Sequence, residues 1–239
     1  MNTGTISGCY AMGTIVGGVY STQFGGLCGY NVGTISACYA TGTVVGGSNS
    51  NRLGSLCGLN EGSISGCYAT GTVVGGSSSS SLGGLCGNNT GTISSCYATG
   101  PVVGGDNSMN LGGLCGVNYG GTIQECYATG TVKGGVLSNG LSGLCGKNEQ
   151  GGTISGCFWD IQTSGQTASA GGTGKTTAEM KRQLTFTAAG WDFTNVWGID
   201  ENRGYPYLWV FWQPASADLN GDERVDLADF ALFAEQWMR

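Results

Sequence analysis

Along residues 1–157 the apolar side chains come singly or in pairs, each at a fixed distance from its next occurrence. Residues 83–100, "GGLCGNNTGTISSCYATG", show the unit: Leu, Cys, Ile and a Cys-Tyr pair hold set places among Gly, Ser, Thr and Asn. The Leu recurs at Leu27, Leu56, Leu85, Leu114 and Leu144, and the Ile at Ile6, Ile35, Ile64, Ile93, Ile123 and Ile154. No apolar period of 3.6 residues runs through this stretch. Short runs of Val, Ile, Thr and Tyr broken by Gly and Asn read as strands instead. The step is 29 residues, stretching to 30 or 31 near the end of the series. A period in the range of about 20–50 residues is the mark of a solenoid, whose units bury their apolar faces only by stacking.

The pattern therefore predicts an all-β fold, a right-handed parallel β-solenoid (β-helix) of about five to six coils over residues 1–157. Each coil should hold two or three short strands joined by Gly/Asn turns. At about 4.8 Å per coil the rod would be about 25 Å long. Leu and Ile should form inner apolar ladders. The fixed Asn31, Asn60, Asn89, Asn118 and Asn148 should stack at a turn that tolerates a left-handed backbone. The position after each GLCG varies (Tyr30, Leu59, Asn88, Val117, Lys147) and should face out. The segments before each GLCG, such as "SNSNRL" and "SSSSSL", should be exposed loops emerging on one side.

Composition narrows the function classes. The chain of 239 residues has 48 Gly, 3 Pro, 10% charged residues and 40% hydrophobic ones. It has no His, which removes the usual imidazole base and the Cys/His zinc site. With a net charge of -6 and no basic stripe, nucleic acid is not an expected partner. No apolar run reaches the roughly 18–20 residues of a membrane span, and the start shows no signal-peptide pattern. Met1 sits inside a unit already in progress, "NTGTISGCYAMG", so the chain reads as the C-terminal piece of something longer and its export stays open.

Units of the form GGL-x-G-x-N-x-GTIS-x-CYATGTVVGG resemble the GLUG repeats of bacterial secreted and surface proteins, across residues 1–157. The following "FWDIQTSGQTASAGGTGKTTAEMKRQ", "GWDF" and "GYPYLW" resemble the segment after such arrays. The resemblance implies an extracellular or cell-surface, non-catalytic, adhesin-like or architectural role.

Eleven Cys in a His-free chain of this kind suggest disulfides. Pairing each GLCG cysteine with the next CY cysteine gives Cys28–Cys38, Cys57–Cys67, Cys86–Cys96, Cys115–Cys126 and Cys145–Cys157, leaving Cys9 over. The opposite pairing, Cys9 with Cys28 onward, leaves Cys157 over. A column of buried, reduced thiols is the other reading. Strand alternation adds a caution: Leu27 pointing inward puts Cys28 on the other face.

Catalytic signals are weak. "SAGGTGKTT" at 169–177 has Ser169 where a phosphate loop needs its first Gly, and no apolar strand precedes it. It reads as a connector into a short helix, with Thr176 and Glu179 at capping-box spacing. Glycoside chemistry needs paired carboxylates. Glu61, Asp106, Glu125 and Glu149 fall at different repeat positions. The chain is therefore expected not to be an enzyme. Thr41/Thr43, Thr70/Thr72 and Thr129/Thr131 would suit ice or a crystalline surface, but β-turn chemistry explains them as well.

After Cys157 the composition changes: residues 158–239 hold 11 of the 15 acids and all 6 Trp. Residues 158–213 are expected to fold over the open end of the rod as an aromatic cap. Residues 214–239 contain "DLNGDERVDLADFALFAEQW", in which Asp218, Asn220, Asp222, Asp226 and Asp229 match positions 1, 3, 5, 9 and 12 of a calcium loop. Arg224 would add its carbonyl at position 7. Phe230, Leu232, Phe233 and Trp237 fit an amphipathic helix behind it. The loop, ending in Asp, resembles half of a dockerin, which implies Ca²⁺ and a cohesin partner in polysaccharide-degrading assemblies. It departs from that pattern with Glu223 where a Gly is usual and with one segment in place of two. The leading expectation is an extracellular structural or adhesive solenoid with a calcium-binding tail. The alternative is a carbohydrate-binding or scaffold component of a dockerin–cohesin system, with glycan or a cell-surface molecule as ligand.

Overall fold

The computed structural model describes residues 1–211. The coils stack as a parallel β-solenoid, and each carries five short strands, more than the two or three expected. In one central coil these are Cys57–Asn60, Ser63–Ser65, Tyr68–Ala69, Val73–Gly75 and Ser80–Gly83. Stacking them generates five parallel sheets of five, six, seven, five and five strands, named here the Cys/Asn, Ile, Tyr, Val and Leu sheets. Every residue stands on its own counterpart: Ile6, Ile35, Ile64, Ile93, Ile123 and Ile154 form one unbroken register. The longer late repeats keep that register because the extra residues sit in the turn after the Asn. There Gly120, Gln150 and Gly151 adopt positive φ (69°, 52° and 75°).

The cross-section has two cores. The Cys/Asn, Ile and Tyr sheets enclose one, filled by the fully buried Ile35, Leu56, Cys57 and Cys67 and their counterparts in the inner coils. The Val and Leu sheets enclose the other, filled by Val44, Leu53, Val73, Leu82, Val102 and Leu111. Each such Leu or Ile contributes about 1.5–3 kcal/mol by leaving water. Glycine makes the shared wall possible. A Cβ on Gly87 would lie 2.4 Å from the backbone carbon of Arg52, and one on Gly83 2.0 Å from the Cys86 carbonyl oxygen. The Leu sheet and the Cys/Asn sheet thus meet backbone to backbone, which fixes both Gly of the GLCG surround.

Four expectations change. The segments before GLCG are not free loops, since Asn51–Gly54 and its counterparts are the Leu-sheet strands and Ser50, Ser79 and Ser108 are fully buried. Leu and Cys both point inward, because Ser55–Leu56 is a bend at which strand alternation restarts. The Asn column stacks as expected but does not have a left-handed backbone. Positive φ falls elsewhere, on Gln23, Arg52, Ser81 and Asn110 (58° to 60°) in the Leu-sheet strands and on turn residues such as Asn49, Ser78 and Ser95. Finally, the position after GLCG is only partly outward: Leu59 and Val117 are 5% and 6% exposed, while Lys147 is exposed.

The segment after Cys157 divides in two. Its first part closes the C-terminal end, as expected. Phe158–Asp160 and Thr173–Lys175 extend the Tyr sheet. Between them, Gly143 N–H donates to the Ala168 carbonyl and Ala170 N–H to that of Cys145, both at 3.0 Å. The Gly-rich "GTGK" is therefore the last strand of a sheet. Thr176 caps the helix Thr177–Met180, with the expected capping box to Glu179. The second part corrects the expectation of an end cap. Residues 177–211, including the helix Gln183–Thr187, lie along the flank of the rod on the Tyr sheet.

Candidate functional site

Four columns of side chains, of three chemical kinds, run the length of the rod. In the first, Asn2, Asn31, Asn60, Asn89, Asn118 and Asn148 form an amide ladder. Each Nδ2 donates to the next Oδ1 at 2.7–2.9 Å. Asn31, Asn60, Asn89 and Asn118 are fully buried. Spare donor capacity goes to turn carbonyls, as in Asn60 Nδ2 to Thr92 O at 3.2 Å. Buried amides need such partners, and stacking identical residues supplies them once per coil.

The second feature is a pair of thiol columns. Cys28, Cys57, Cys86, Cys115 and Cys145 stand in register. In the CY series, Cys9 N–H points at Cys38 Sγ (3.3 Å), Cys38 N–H at Cys67 Sγ (3.4 Å), and so on to Cys157. All eleven cysteines are free thiols, and all but Cys9 are buried. The expected within-coil disulfides of Cys28, Cys38, Cys57, Cys67, Cys86, Cys96, Cys115, Cys126, Cys145 and Cys157 are thus not formed. Each sulfur instead donates to a carbonyl two residues away, Cys57 to Leu59 O and Cys67 to Ser65 O at 3.2 Å. The adjacent thiol of Cys57 and then burial push the Cys28 thiol up. For Cys126 burial comes first, followed by Cys157 and Cys96. At Cys86 and Cys96 burial raises the pKa while neighbouring thiols on both sides oppose it. In a fully buried apolar column burial governs, and we hold these thiols to be protonated. Among the described residues, no group of three or more His, Cys, Asp or Glu is placed to hold a metal ion.

The third kind of column is aromatic and faces outward. Tyr10, Tyr39, Tyr68, Tyr97 and Tyr127 stack face on face, with ring centroids 4.9–5.3 Å apart and planes within 11°. Stacked rings hide their faces in one another and present only edges. The flank segment uses those edges: Phe211 meets Tyr39 and Tyr68 at 88°, and Trp197 and Trp191 pack on Tyr127. Tyr127 O–H donates to Pro206 O at 2.6 Å. Asp160, fully buried, ties the two parts together. It accepts from the N–H groups of Gln162 and Thr163 and from the hydroxyls of Thr177 and Tyr205, the last two at 2.7 Å. Sequence reasoning did not single out Asp160; its place one residue after the final CF-W was the available signal.

The acids of the rod are taken up separately, as their scattered repeat positions implied. Glu61 accepts from Tyr30 O–H at 2.6 Å and Asp106 from Val136 N–H at 2.7 Å. Glu125 accepts from Ser95 at 3.4 Å, and Glu149 pairs with Lys147. Gly42, between Thr41 and Thr43, packs against the Gly13 carbonyl of the previous coil, where a Cβ would lie 2.1 Å away. The Thr-Gly-Thr stretches are accordingly stacked turns. The expected calcium ligands Asp218, Asn220, Asp222, Arg224, Asp226 and Asp229 lie outside the described residues.

One outward hollow breaks the repetition. Arg52, Leu59, Glu61, Asn88, Thr90 and Tyr119 line a shallow depression of about 260 Å³ on the outer side of the Cys/Asn sheet.

Comparison with known proteins agrees with this architecture. Residues 20–45, 49–74, 78–104 and 107–133 each match the GLUG motif. One match spans one coil, from the Leu-sheet strand through the Val-sheet strand. A stretch of 92 residues is 37% identical to a protein of Evansella cellulosilytica named "Putative Gly-rich membrane protein", covering 36% of this chain and 10% of that relative's length. No solved structure matches the chain. No helix among the described residues is long and apolar enough to cross a membrane.

Proposed function

We propose that this chain is a non-catalytic structural or adhesive rod of the cell exterior, with a calcium-binding tail. The Asn ladder is the observation that carries the reading. The fully buried Asn31, Asn60, Asn89 and Asn118 amides are bonded from coil to coil, so the molecule is built to hold a shape and present a surface. The naming of the Evansella relative as a membrane protein supports a place at the envelope, and the GLUG repeats support an architectural role.

Two experiments test the reading. Intact cells that make the protein are treated with protease and with a membrane-impermeant amine label. Labelling and cleavage of the rod are expected, and full protection in intact cells with attack only after lysis would overturn the exterior location. For the tail, calorimetry of the whole chain should show uptake of one Ca²⁺, lost in the Asp218→Ala/Asp222→Ala variant. Four Asp side chains crowded into residues 218–229 repel one another without a cation. Absence of uptake at millimolar calcium would remove the tail from the function.

A further inference from the structure

Stacking demands identity, so positions at which the coils differ are those that stacking does not use. Three such columns meet on one face. Gln23, Arg52, Ser81, Asn110 and Gly140 form one; Tyr30, Leu59, Asn88, Val117 and Lys147 the second; Val32, Glu61, Thr90, Tyr119 and Glu149 the third. Members of all three converge at the 260 Å³ hollow. The first column has φ near 60° at Gln23, Arg52, Ser81 and Asn110, a conformation shared with the turn column Tyr20, Asn49, Ser78, Asn107 and Leu137. Left-handed conformations on non-Gly residues cost about 1–2 kcal/mol each. Four of the rod's seven charged side chains, Arg52, Glu61, Lys147 and Glu149, belong to these columns. Among the rod's variable positions, this face is where most of its charge collects.

We propose that this outer face binds an uncharged, linear oligosaccharide laid along the rod axis, with the Arg52–Glu61–Tyr119 hollow as its central subsite. The inference rests on the adhesive reading above and names the ligand class. Size excludes a stable protein partner: five coils of about 4.8 Å by a four-residue strand give about 24 × 13 Å, or about 310 Å². A standard protein interface takes about 800 Å² per side. A peptide joining the sheet as a strand needs an open backbone edge. On this face the backbone groups are already spent in coil-to-coil pairing. What is left is side chains. Arg52, Asn88, Glu61 and Thr90 offer mixed donors and acceptors suited to hydroxyl groups. Tyr119, 47% exposed, offers ring surface for sugar C–H faces, beside the nearly buried Leu59. Two cations and two anions cancel across the columns, so an uncharged sugar fits better than an acidic one. The Tyr68–Tyr97 stack is unsuitable for the same task because its ring faces are hidden.

The test is calorimetric titration of the whole chain with cellohexaose, xylohexaose and mannohexaose and their shorter forms, after a glycan-array survey to rank them. At least one series should bind, with affinity rising with length up to the number of coils. Tyr119→Ala and Arg52→Ala should each weaken binding about tenfold or more, with an unchanged melting midpoint. Lys133→Ala, in the Val sheet, should leave binding unaltered. No heat with any neutral hexasaccharide at millimolar concentration would overturn the proposal. So would binding that tolerates both substitutions, or selective binding of acidic glycans or of a protein. Surface labelling of intact cells reports on the adhesive reading independently, so the two can fail separately.

Discussion

The rod and the segment that covers its flank solve the same burial problem with opposite logic. In the rod each contact is made four or five times by the same residue against itself, as in Ile35–Ile64–Ile93 or the Asn ladder. In the flank segment each contact occurs once: Trp191 Nε1 reaches Gly156 O at 2.7 Å, Phe186 packs on Trp191 at 4.7 Å, and Asp160 collects four donors. The rod buries almost no aromatic side chain and many Gly. The flank buries Trp191, Trp197, Phe186 and Met180. Repetition lets small residues succeed because fit is guaranteed by identity. Without repetition, large side chains must supply area in a few contacts. The Tyr column belongs to both systems, stacked by the first rule and covered by the second.

The largest effect that would break this comparison is a side chain in the shared wall. Gly87→Val puts a branched group where a single Cβ would already lie 2.4 Å from Arg52 backbone. Backbone cannot move aside as a side-chain end can, so loss of at least about 3 kcal/mol is expected, and failure of the rod to form cooperatively. Circular dichroism and a urea melt check it; a wild-type midpoint would mean the two sheets are not in contact.

In the flank, Trp197→Ala should cost about 3–5 kcal/mol locally and leave the rod standing. Protease sensitivity confined to residues 177–211, with the rod's β signal retained, is the expected result. Trp197→Phe sharpens the test, because the buried Trp197 Nε1 has no hydrogen-bond partner among the described residues. Losing that N–H removes a desolvation penalty, so the Phe variant should be much milder than the Ala one.

Asn89→Leu probes repetition itself. It strips the Asn118 Oδ1 of its donor and the Asn60 Nδ2 of one acceptor. With about 1–3 kcal/mol per orphaned group, and carbonyls still available to Asn60 Nδ2, about 2–4 kcal/mol is expected from a denaturant melt. The same change at Asn148, at the end of the ladder, should cost less. Equal costs at both positions would argue against a continuous ladder.

How much of this was legible follows the same divide. The period, the parallel stack and the Leu and Ile ladders could be read because every coil repeats them. Five strands per coil could not, since two- and three-residue strands such as Tyr68–Ala69 leave no alternation to detect. Leu56 and Cys57 misled strand counting because the bend between strands resets it. The wall of glycines was visible as composition but not as contact, which only the second core reveals. For the flank, aromatic richness announced a cover but gave no direction. Nothing in "GWDF" says that Trp191 packs on Tyr127 rather than over the rod's end.

Thiol chemistry offers a cheaper discriminator. With ten cysteines buried and Cys9 exposed, native protein should give one fast-reacting thiol with an aromatic disulfide reagent, and eleven after denaturation. Five disulfides would instead leave one thiol in denaturant, restoring the within-coil pairing and overturning the stacked-thiol columns.

The smallest effect expected is alkaline, and it should separate the two regions by pH. Burial, then the hydrogen bond and charge of Asp160, push Tyr205 from an ordinary phenol value of 10.0 up to about 12. Burial likewise raises Tyr97 and Tyr127 in the covered part of the column. A group whose folded pKa exceeds its unfolded one stabilises fully below the unfolded value and loses that contribution as pH rises through the folded one. Between about pH 10 and pH 12 the unfolded flank therefore gives up phenol protons that the folded flank retains, and its docking weakens. The inner columns contain no Tyr, so the flank should loosen before the rod. Tryptophan fluorescence followed against pH reads mainly the flank, which holds Trp191, Trp197 and Trp209 while Trp159 lies in the rod's core, and far-ultraviolet dichroism reads mainly the rod. Tyr205→Phe should shift the fluorescence transition to higher pH, by removing one of the phenols that ionise. Coincident transitions by the two probes, unmoved in that variant, would mean that flank and rod are one cooperative unit.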